Sequence, residues 1–294
     1  MRSCSAAMLT TLAASLTLAL PAAAAAPEGA AYHLYRPGLT PAPVVSAPGA
    51  ATMLYYGGPV IASVKVVVVI WGDGVAKTTT SQIAPYFKGM VNSTYVDQLV
   101  QYSTNITGVN GHPGTDQTIT RGTFHGKFKI VPINTSKNLT DKEIRKELKA
   151  QIAAGALPPA SLNSLYMIYF PPDISISLGS LKSCVAFGAY HEAVSPTVTH
   201  SNIFYGVMPD CGGGFNAATI VSSHEFAEAI TDAIPTPGTH PAYPQAWNTV
   251  NGSEIGDLCE GDITTLTAGA EVYQVQEVFT NNTNACGTGS FHSP

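Results

Sequence analysis

The pentapeptide His224-Glu225-Phe226-Ala227-Glu228 holds the residues of this chain whose types and spacing point most directly to chemistry. On a helix, His224 and Glu228 lie one turn apart on the same face, and Glu225 lies about 100° round from His224. The spacing matches the His-Glu-x-x-His helix of zinc metalloproteases, with Glu in place of the second His. It predicts that His224 and Glu228 bind a metal and that Glu225 is the base that deprotonates water.

The same stretch also fits an ordinary helix start. Ser222 and Glu225 have the Ser-x-x-Glu spacing of a capping box, which would put His224 in the first helical turn. Asn216 or Thr219 is an alternative N-cap. Either of these places His224 beyond the first turn and favours metal binding.

A catalytic zinc ion usually takes three protein ligands, so the two residues on the helix need a third. Segment 251–260 brings Glu254 and Asp257 close to Cys259, and we expect one of these two carboxylates to be the third ligand. Asp232, one further helical turn beyond Glu228, is a rival. The alternative is that these acidic residues lie on a surface turn and bind no metal.

Two histidines upstream of the helix are further candidates. His191 is the stronger one: it would polarise a substrate carbonyl as a catalytic residue, or complete the metal shell. His200 is the weaker one, and a structural hydrogen-bonding role is the alternative for both. We expect Zn²⁺ as the cofactor, although a shell rich in carboxylates also suits Ca²⁺ or Mn²⁺.

Strands that alternate with helices must position these residues. Residues 64–71 form a near-continuous β-branched run, typical of a strand buried on both faces. Thr140 and Glu143 form a capping box that starts a helix reaching about residue 154. Further elements are one or two helices within 81–102 and strands at 128–133, 165–170, 203–208 and 271–279. The pattern predicts an α/β or α+β fold, a mixed sheet with flanking helices, zincin-like with one His-Glu-x-x-Glu active-site helix.

The amino-terminal segment predicts export. Residues 1–26 contain Arg2, an Ala- and Leu-rich apolar run and small residues before Pro27, as in a secretory signal peptide. Residues 27–54 form a Pro/Ala-rich leader, and residues 55–294 form a single globular domain.

Four cysteines remain once the signal peptide is removed. An even number in an exported chain indicates two disulfide bonds, with three possible connectivities. We favour Cys184–Cys211 and Cys259–Cys286, because this pairing closes the shortest loops.

Composition argues against two classes of partner. Charged residues make up 11% of the chain and the net charge is −5, without a basic patch, so nucleic acid is not an expected partner. Outside the signal peptide, no apolar run has the length of a membrane span.

Six sequence blocks carry a resemblance to a known family: 56–59, 68–72, 183–191, 223–228, 254–259 and 275–279. Together they resemble the phosphate-induced protein family, whose plant members include Exordium, and in particular its bacterial and fungal secreted members. Ser-His-Glu-x-x-Glu and Glu-Ile-Gly-Asp-Leu-Cys are the most specific blocks. The resemblance implies a secreted or cell-wall-associated protein and no defined biochemical activity.

Two functions follow as expectations. The first is a secreted metal-dependent hydrolase, most simply a zincin-like peptidase acting on an extracellular peptide or cell-wall substrate. The second is a non-enzymatic extracellular binding or signalling protein, in which the same helix carries a buried polar network. A cleft that exposes Glu225 would favour the enzyme.

Overall fold

The computed structural model describes, apart from Met1, residues 52–235 and 241–287, so the predicted signal peptide and residues 27–51 of the leader lie outside the described part. The helices are α1 (Lys77–Met90), α2 (Thr94–Asp97), α3 (Asp141–Ala153) and α4 (Gly214–Thr231), with 3₁₀ turns at Gln98–Tyr102 and Asp257–Cys259. The strands are β1 (Leu54–Tyr55), β2 (Ser63–Trp71), β3 (Thr120–Ile130), β4 (Asn138–Thr140), β5 (Ser164–Tyr169), β6 (Ser175–Leu178), β7 (Leu181–Lys182), β8 (Tyr190–Ala193), β9 (Phe204–Met208), β10 (Trp247–Asn248), β11 (Ile263–Ala268), β12 (Glu271–Gln276), β13 (Val278–Thr280) and β14 (Ala285–Gly287). The fold is therefore a mixed α/β structure with several sheets and a few helices.

The main sheet has five strands in the order β3-β2-β5-β9-β8. The first four are parallel, and β8 runs antiparallel to β9 at one edge. Parallel strands are normally buried on both faces, because the connections between them cross over the sheet. The four smaller sheets have two or three strands each among the described residues.

The β-branched run of β2 explains the layering of the fold. Successive side chains of a strand point to opposite faces. Val66 and Val68 accordingly belong to the core that α1 and α4 cover, whereas Val67 and Val69 belong to the core that α3 covers. The sheet is thus sandwiched between helices, and α4, the helix with the His-Glu motif, covers one face.

The start of α3 has the predicted capping box. The Thr140 hydroxyl accepts a hydrogen bond from the Glu143 backbone N–H, and the Glu143 carboxylate accepts one from the Thr140 backbone N–H. The Glu143 carboxylate also accepts a hydrogen bond from the Thr140 hydroxyl, and the bonds it receives from the Thr140 backbone N–H and hydroxyl lower its pKa. The helix ends at Ala153, one residue short of the predicted end.

Replacing Thr140 by Ala is expected to lower the free energy of unfolding by about 1 kcal/mol, because the first turn of α3 loses its cap. Urea unfolding of the mature protein measures the change. Thr135→Ala, at another exposed threonine outside the helices, is the control and should change stability by less than about 0.5 kcal/mol. Equal losses in the two variants would contradict the capping role.

Several predicted boundaries were wrong. The strand predicted at 128–133 is β3, which begins earlier at Thr120 and ends at Ile130, just before Pro132, which lacks a backbone donor. The strand predicted at 271–279 is divided at Glu277 into β12 and β13, which pair with different partners. Short edge strands of this kind carry little periodic signal, so their ends depend on pairing partners distant in the chain.

Both disulfides have the pairing favoured from the sequence. Cys184 is bonded to Cys211 and Cys259 to Cys286, each across 27 residues. The first joins the segment before β8 to the start of α4, and the second joins a 3₁₀ turn to β14. Two disulfides are typical of exported proteins. In residues 52–235 and 241–287, none of the helices has both the length and the apolarity that crossing a membrane requires.

Candidate metal centre

Helix α4 starts earlier than the sequence suggested. Its N-cap is Gly213, in a left-handed conformation with φ of +78°, and the predicted caps Asn216 and Thr219 lie inside the helix. The capping-box alternative is also wrong, because Ser222 and Ser223 donate their hydroxyls to carbonyls one turn back. His224 therefore lies well inside the helix, where an i,i+4 partner is available.

The helix places His224 and Glu228 side by side. His224 Nε2 lies 3.1 Å from Glu228 Oε2, and both side chains are fully buried, as is Glu225. Phe226 and Ala227, between these polar positions, pack in the core shared with the sheet. The polar side chains are consequently held in a dry part of the fold rather than at its surface.

Strand β8 brings in His191 from the edge of the sheet. Adjacent strand residues point to opposite faces: the Tyr190 hydroxyl donates to Asp141 at the start of α3, and His191 faces α4. His191 Nδ1 lies 3.2 Å from Glu225 Oε2 and 3.7 Å from Glu228 Oε2. The edge strand and the helix thus meet at these three side chains.

Segment 254–257 closes the cluster from a third side. The backbone N–H groups of Gly256 and Asp257 both donate to Glu228 Oε1, each at 3.1 Å. Glu254 Oε1 lies 3.6 Å from His191 Nε2. Because the two amides occupy Oε1 of Glu228, Oε2 is the oxygen that faces the imidazoles.

Gly256 allows this segment to lie against α4. Its backbone conformation is an ordinary helical one, with φ of −77°. A Cβ atom there would come within 2.7 Å of both Glu228 Oε1 and His224 Nδ1. The requirement for glycine is therefore steric and comes from the site itself.

Replacing Gly256 by Ala is expected to displace segment 254–257 and to lower the free energy of unfolding by about 1–3 kcal/mol, the usual range for overpacking a buried site. Denaturant unfolding of the metal-free protein measures this loss. Ser253→Ala, at a half-buried position of the same segment, is the control and should be nearly neutral. Wild-type stability of Gly256→Ala would show that the segment is not held tightly against the helix.

Gln276, the last residue of β12, orients His224. Its side-chain nitrogen lies 3.0 Å from His224 Nδ1 and donates to the Gly256 carbonyl at 2.8 Å, while its backbone N–H donates to the Ser223 hydroxyl. With Nδ1 held by the carboxamide, Nε2 is the nitrogen directed at Glu228. Metal-binding histidines are commonly oriented in this way through their second nitrogen.

The surroundings of the cluster are rich in carboxylates. The chain contains no Lys or Arg beyond Lys182, so all the segments that build the site, from β8 onward, carry none. Near the two imidazoles stand the carboxylates of Glu225, Glu228, Asp232, Glu254 and Asp257, of which Asp257 alone is not fully buried. Buried carboxylates normally need a positive partner, because desolvation penalises the charged form.

The pKa shifts reflect this excess of negative charge. Burial would lower the pKa of His224, but the charge of Glu228 and that of Glu225 outweigh burial and raise the pKa to about 10. Burial raises the pKa of Glu228, and Asp257 acts in the same direction while His224 opposes it. Burial, followed by the charge of Glu228, raises the pKa of Glu254 well above its usual range. The cluster therefore holds protons strongly, and a bound divalent cation would replace some of them.

Two overlapping sets of side chains have ligand atoms close enough to share a metal ion. In each set, one atom per residue lies within 4.8 Å of the others, and Glu228 belongs to both. One set is His224, Glu228 and Asp257; the other is His191, Glu225 and Glu228. Imidazole nitrogen with carboxylate oxygen suits zinc, and the high carboxylate share also fits Mn²⁺.

The structure gathers most of the predicted residues. Asp257 lies with His224 and Glu228, whereas Glu254 lies beside His191. Asp232 belongs to neither set: its carboxylate accepts hydrogen bonds from the Ala246 backbone and the Asn248 side chain. His200 lies on an exposed turn and is in neither set.

Sequence reasoning missed two residues that shape the site. Both residues lie in blocks shared with the resembled family, Gln276 in 275–279 and Gly256 in 254–259, and this was the one signal for each. The role of Gly256 depends on the distance between two segments, which the sequence does not give. The cleft that would favour the enzyme is not found among the described residues, since Glu225 is 0% exposed.

Comparisons of the chain with protein-family models, with curated proteins and with solved structures found no match. The likeness to the phosphate-induced protein family therefore rests on the sequence blocks alone.

Proposed function

We propose that this chain is a secreted metal-dependent hydrolase, zincin-like in arrangement, that cleaves extracellular or cell-wall peptides. The observation that carries the proposal is the convergence of His191, His224, Glu225 and Glu228 in one buried cluster. A divalent cation is the partner that best satisfies such a set of donors.

The metal ligands are His224, Glu228 and Asp257. They are the set whose donor atoms the helix and the 3₁₀ turn bring together, and Gln276 and the two backbone amides orient the first two. A metal ion bound there would act as a Lewis acid and lower the pKa of water.

Glu225 is the base in this mechanism. It takes a proton from the attacking water and passes it to the leaving amine. His191 Nδ1 lies 3.2 Å from Glu225 Oε2, so it holds the carboxylate in place. In this mechanism His191 also polarises the substrate carbonyl.

Export is the second part of the proposal. The signal-like residues 1–26, the two disulfides and the resemblance to the phosphate-induced protein family all favour an extracellular or wall-associated protein.

One observation favours a second function, a non-enzymatic extracellular binding or signalling protein. Glu225 is fully buried, and Glu228 is hydrogen-bonded by two backbone amides, as in a structural network. In this case the cluster stabilises the fold, and any bound cation is structural.

Metal analysis of the mature protein, purified without chelator, tests the proposal. We expect about one zinc or manganese ion per chain, and hydrolysis of a mixed peptide library that stops on chelation and returns with the metal. Chelation should also lower the melting temperature, because an ion at 1,000 times its Kd stabilises a protein by about 4 kcal/mol. No stoichiometric metal would overturn the metal mechanism, and metal without hydrolysis would favour the second function.

A further inference from the structure

An apolar cavity of about 330 Å³ lies against the amino-terminal half of α4 and is called here the Val221 pocket. Its walls include Val75, Tyr169, Phe170, Met208, Ile220 and Val221. Tyr169 and Met208 are the last residues of β5 and β9, so the pocket opens at the carboxyl edge of the parallel strands. Ligands of open α/β sheets commonly bind at this edge.

The pocket adjoins the proposed catalytic residues along two elements. On α4, Val221 precedes Glu225 by four residues and Ala218 precedes it by seven, so the three share one helical face. One helical turn is about 5.4 Å along the axis, so Val221 and Glu225 are neighbours on this face of α4. On the other side, Gly188 of the pocket wall lies three residues before His191.

The lining selects for a neutral apolar group. Among the described residues that line the pocket, Asp210 is the one charged side chain, and it accepts a hydrogen bond from the Gly212 backbone. No Lys or Arg follows Lys182, so the walls from Gly188 to Val221 carry no Lys or Arg side chain that would pair with an acidic ligand. An aliphatic or aromatic group has no charge to desolvate when it enters the pocket. A carboxylate would lose its hydration and would lie beside the carboxylate of Asp210, so its binding is less favourable.

The walls are held in place before any ligand arrives. Cys211 lies in the wall and is bonded to Cys184. Ligand pockets of drug-sized molecules are typically preformed and about 300–1,000 Å³ in volume, so this cavity is at the lower end and suits one large side chain.

We propose that the Val221 pocket receives an apolar side chain, such as that of leucine or phenylalanine, from an extracellular peptide. The inference rests on the proposed peptidase function and names the side chain that this function selects.

Direct binding of small probes tests the pocket without catalysis. The probes are N-acetyl-leucine amide, N-acetyl-phenylalanine amide, N-acetyl-glutamate amide and laurate, titrated by NMR into the mature protein. We expect the two apolar amides to bind with a Kd of about 1–10 mM, with shifts at the pocket walls, and the glutamate amide to bind at least about tenfold more weakly. Equal binding of the glutamate amide, or tighter binding of laurate, would overturn the assignment to an apolar peptide side chain.

Two substitutions of opposite sense locate the binding. Ala218 is half-buried and lines the cavity, so Ala218→Phe should fill it and weaken both apolar amides at least about tenfold. Val221→Ala should enlarge the pocket and shift the preference from leucine toward phenylalanine. The control is Val198→Phe, in a separate cavity of about 230 Å³, which should leave binding unchanged. Unchanged binding in Ala218→Phe together with an unshifted preference in Val221→Ala would overturn the pocket assignment.

The failures of the two proposals are distinguishable. If the apolar amides bind as expected but no metal or hydrolysis is found, the peptidase function fails and the pocket becomes a binding site without catalysis. If hydrolysis occurs with equal rates for acidic and apolar residues beside the cleaved bond, in the wild type and in Ala218→Phe, the pocket assignment fails and the peptidase function stands.

Discussion

Replacing Glu225 by Gln is expected to reduce peptide hydrolysis by about 10²–10⁴-fold, the usual contribution of a general base, without loss of metal. The amide keeps the size of the side chain but cannot accept a proton from water. Glu225 is absent from the set of His224, Glu228 and Asp257 that we assign to the metal. Single-turnover rates, metal content and melting temperature of Glu225→Gln separate these effects.

Glu228→Gln is the matched comparison, three residues further along the same helix. The substitution changes a carboxylate whose Oε2 faces both imidazoles. We therefore expect the metal affinity to fall by more than about 100-fold. This loss exceeds the one typical of residues that only orient a metal ligand. Chelator competition measures the affinity. Equal metal affinity in the wild type and Glu228→Gln would contradict the assignment of Glu228 as a metal ligand. If the cluster is purely structural, Glu225→Gln and Glu228→Gln should each lose stability in proportion to the hydrogen bonds that they remove. Their metal content should then be the same.

Replacing Cys259 and Cys286 together by Ser is expected to cause a large loss of stability. The bond spans 27 residues, and a crosslink over a loop of this length stabilises a protein by about 3–4 kcal/mol through the entropy of the unfolded chain. The same bond anchors the 3₁₀ turn that contains Asp257. We therefore expect weaker metal binding as well as a lower free energy of unfolding.

The second disulfide provides a matched control. Cys184–Cys211 also spans 27 residues, so its removal should cost a similar free energy of unfolding through the unfolded chain. It anchors the Val221 pocket and the start of α4, and does not reach the segment of Asp257. Chemical denaturation and metal affinity, measured on both double variants, should show similar stability losses but reduced metal affinity only without Cys259–Cys286. Identical metal affinities would show that the turn needs no covalent anchor.

The helical site motif was predictable because its information is local. His224 and Glu228 are four residues apart, and a helix places such residues side by side whatever surrounds it. The capping box of Thr140 and Glu143 and the buried strand β2 were predictable for the same reason, since each is encoded by neighbouring residues. Loop length was sufficient to favour the observed disulfide pairing.

The start of α4 was not predictable, because the local rules favoured Asn216 or Thr219 as caps. Gly213 begins the helix without a side-chain cap, in a backbone conformation that glycine adopts readily, directly after the disulfide-bonded Cys211. The geometry of the chain at this point depends on the covalent link to Cys184, which is remote in the sequence.

The sequence by itself determined which residues have the chemistry for a site, and only the tertiary structure decided which of them meet. His191 and His200 are similar as isolated histidines, but strand pairing directs the first toward α4 and leaves the second on an exposed turn. Asp257 and Glu254 are both carboxylates of the same segment. The backbone N–H groups that donate to Glu228 position this segment, so that Asp257 lies beside His224 and Glu254 beside His191. Gly256 and Gln276 matter only through contacts between segments distant in the chain. Such contacts, like the burial that raises the pKa of Glu228, arise from packing, which no local pattern encodes.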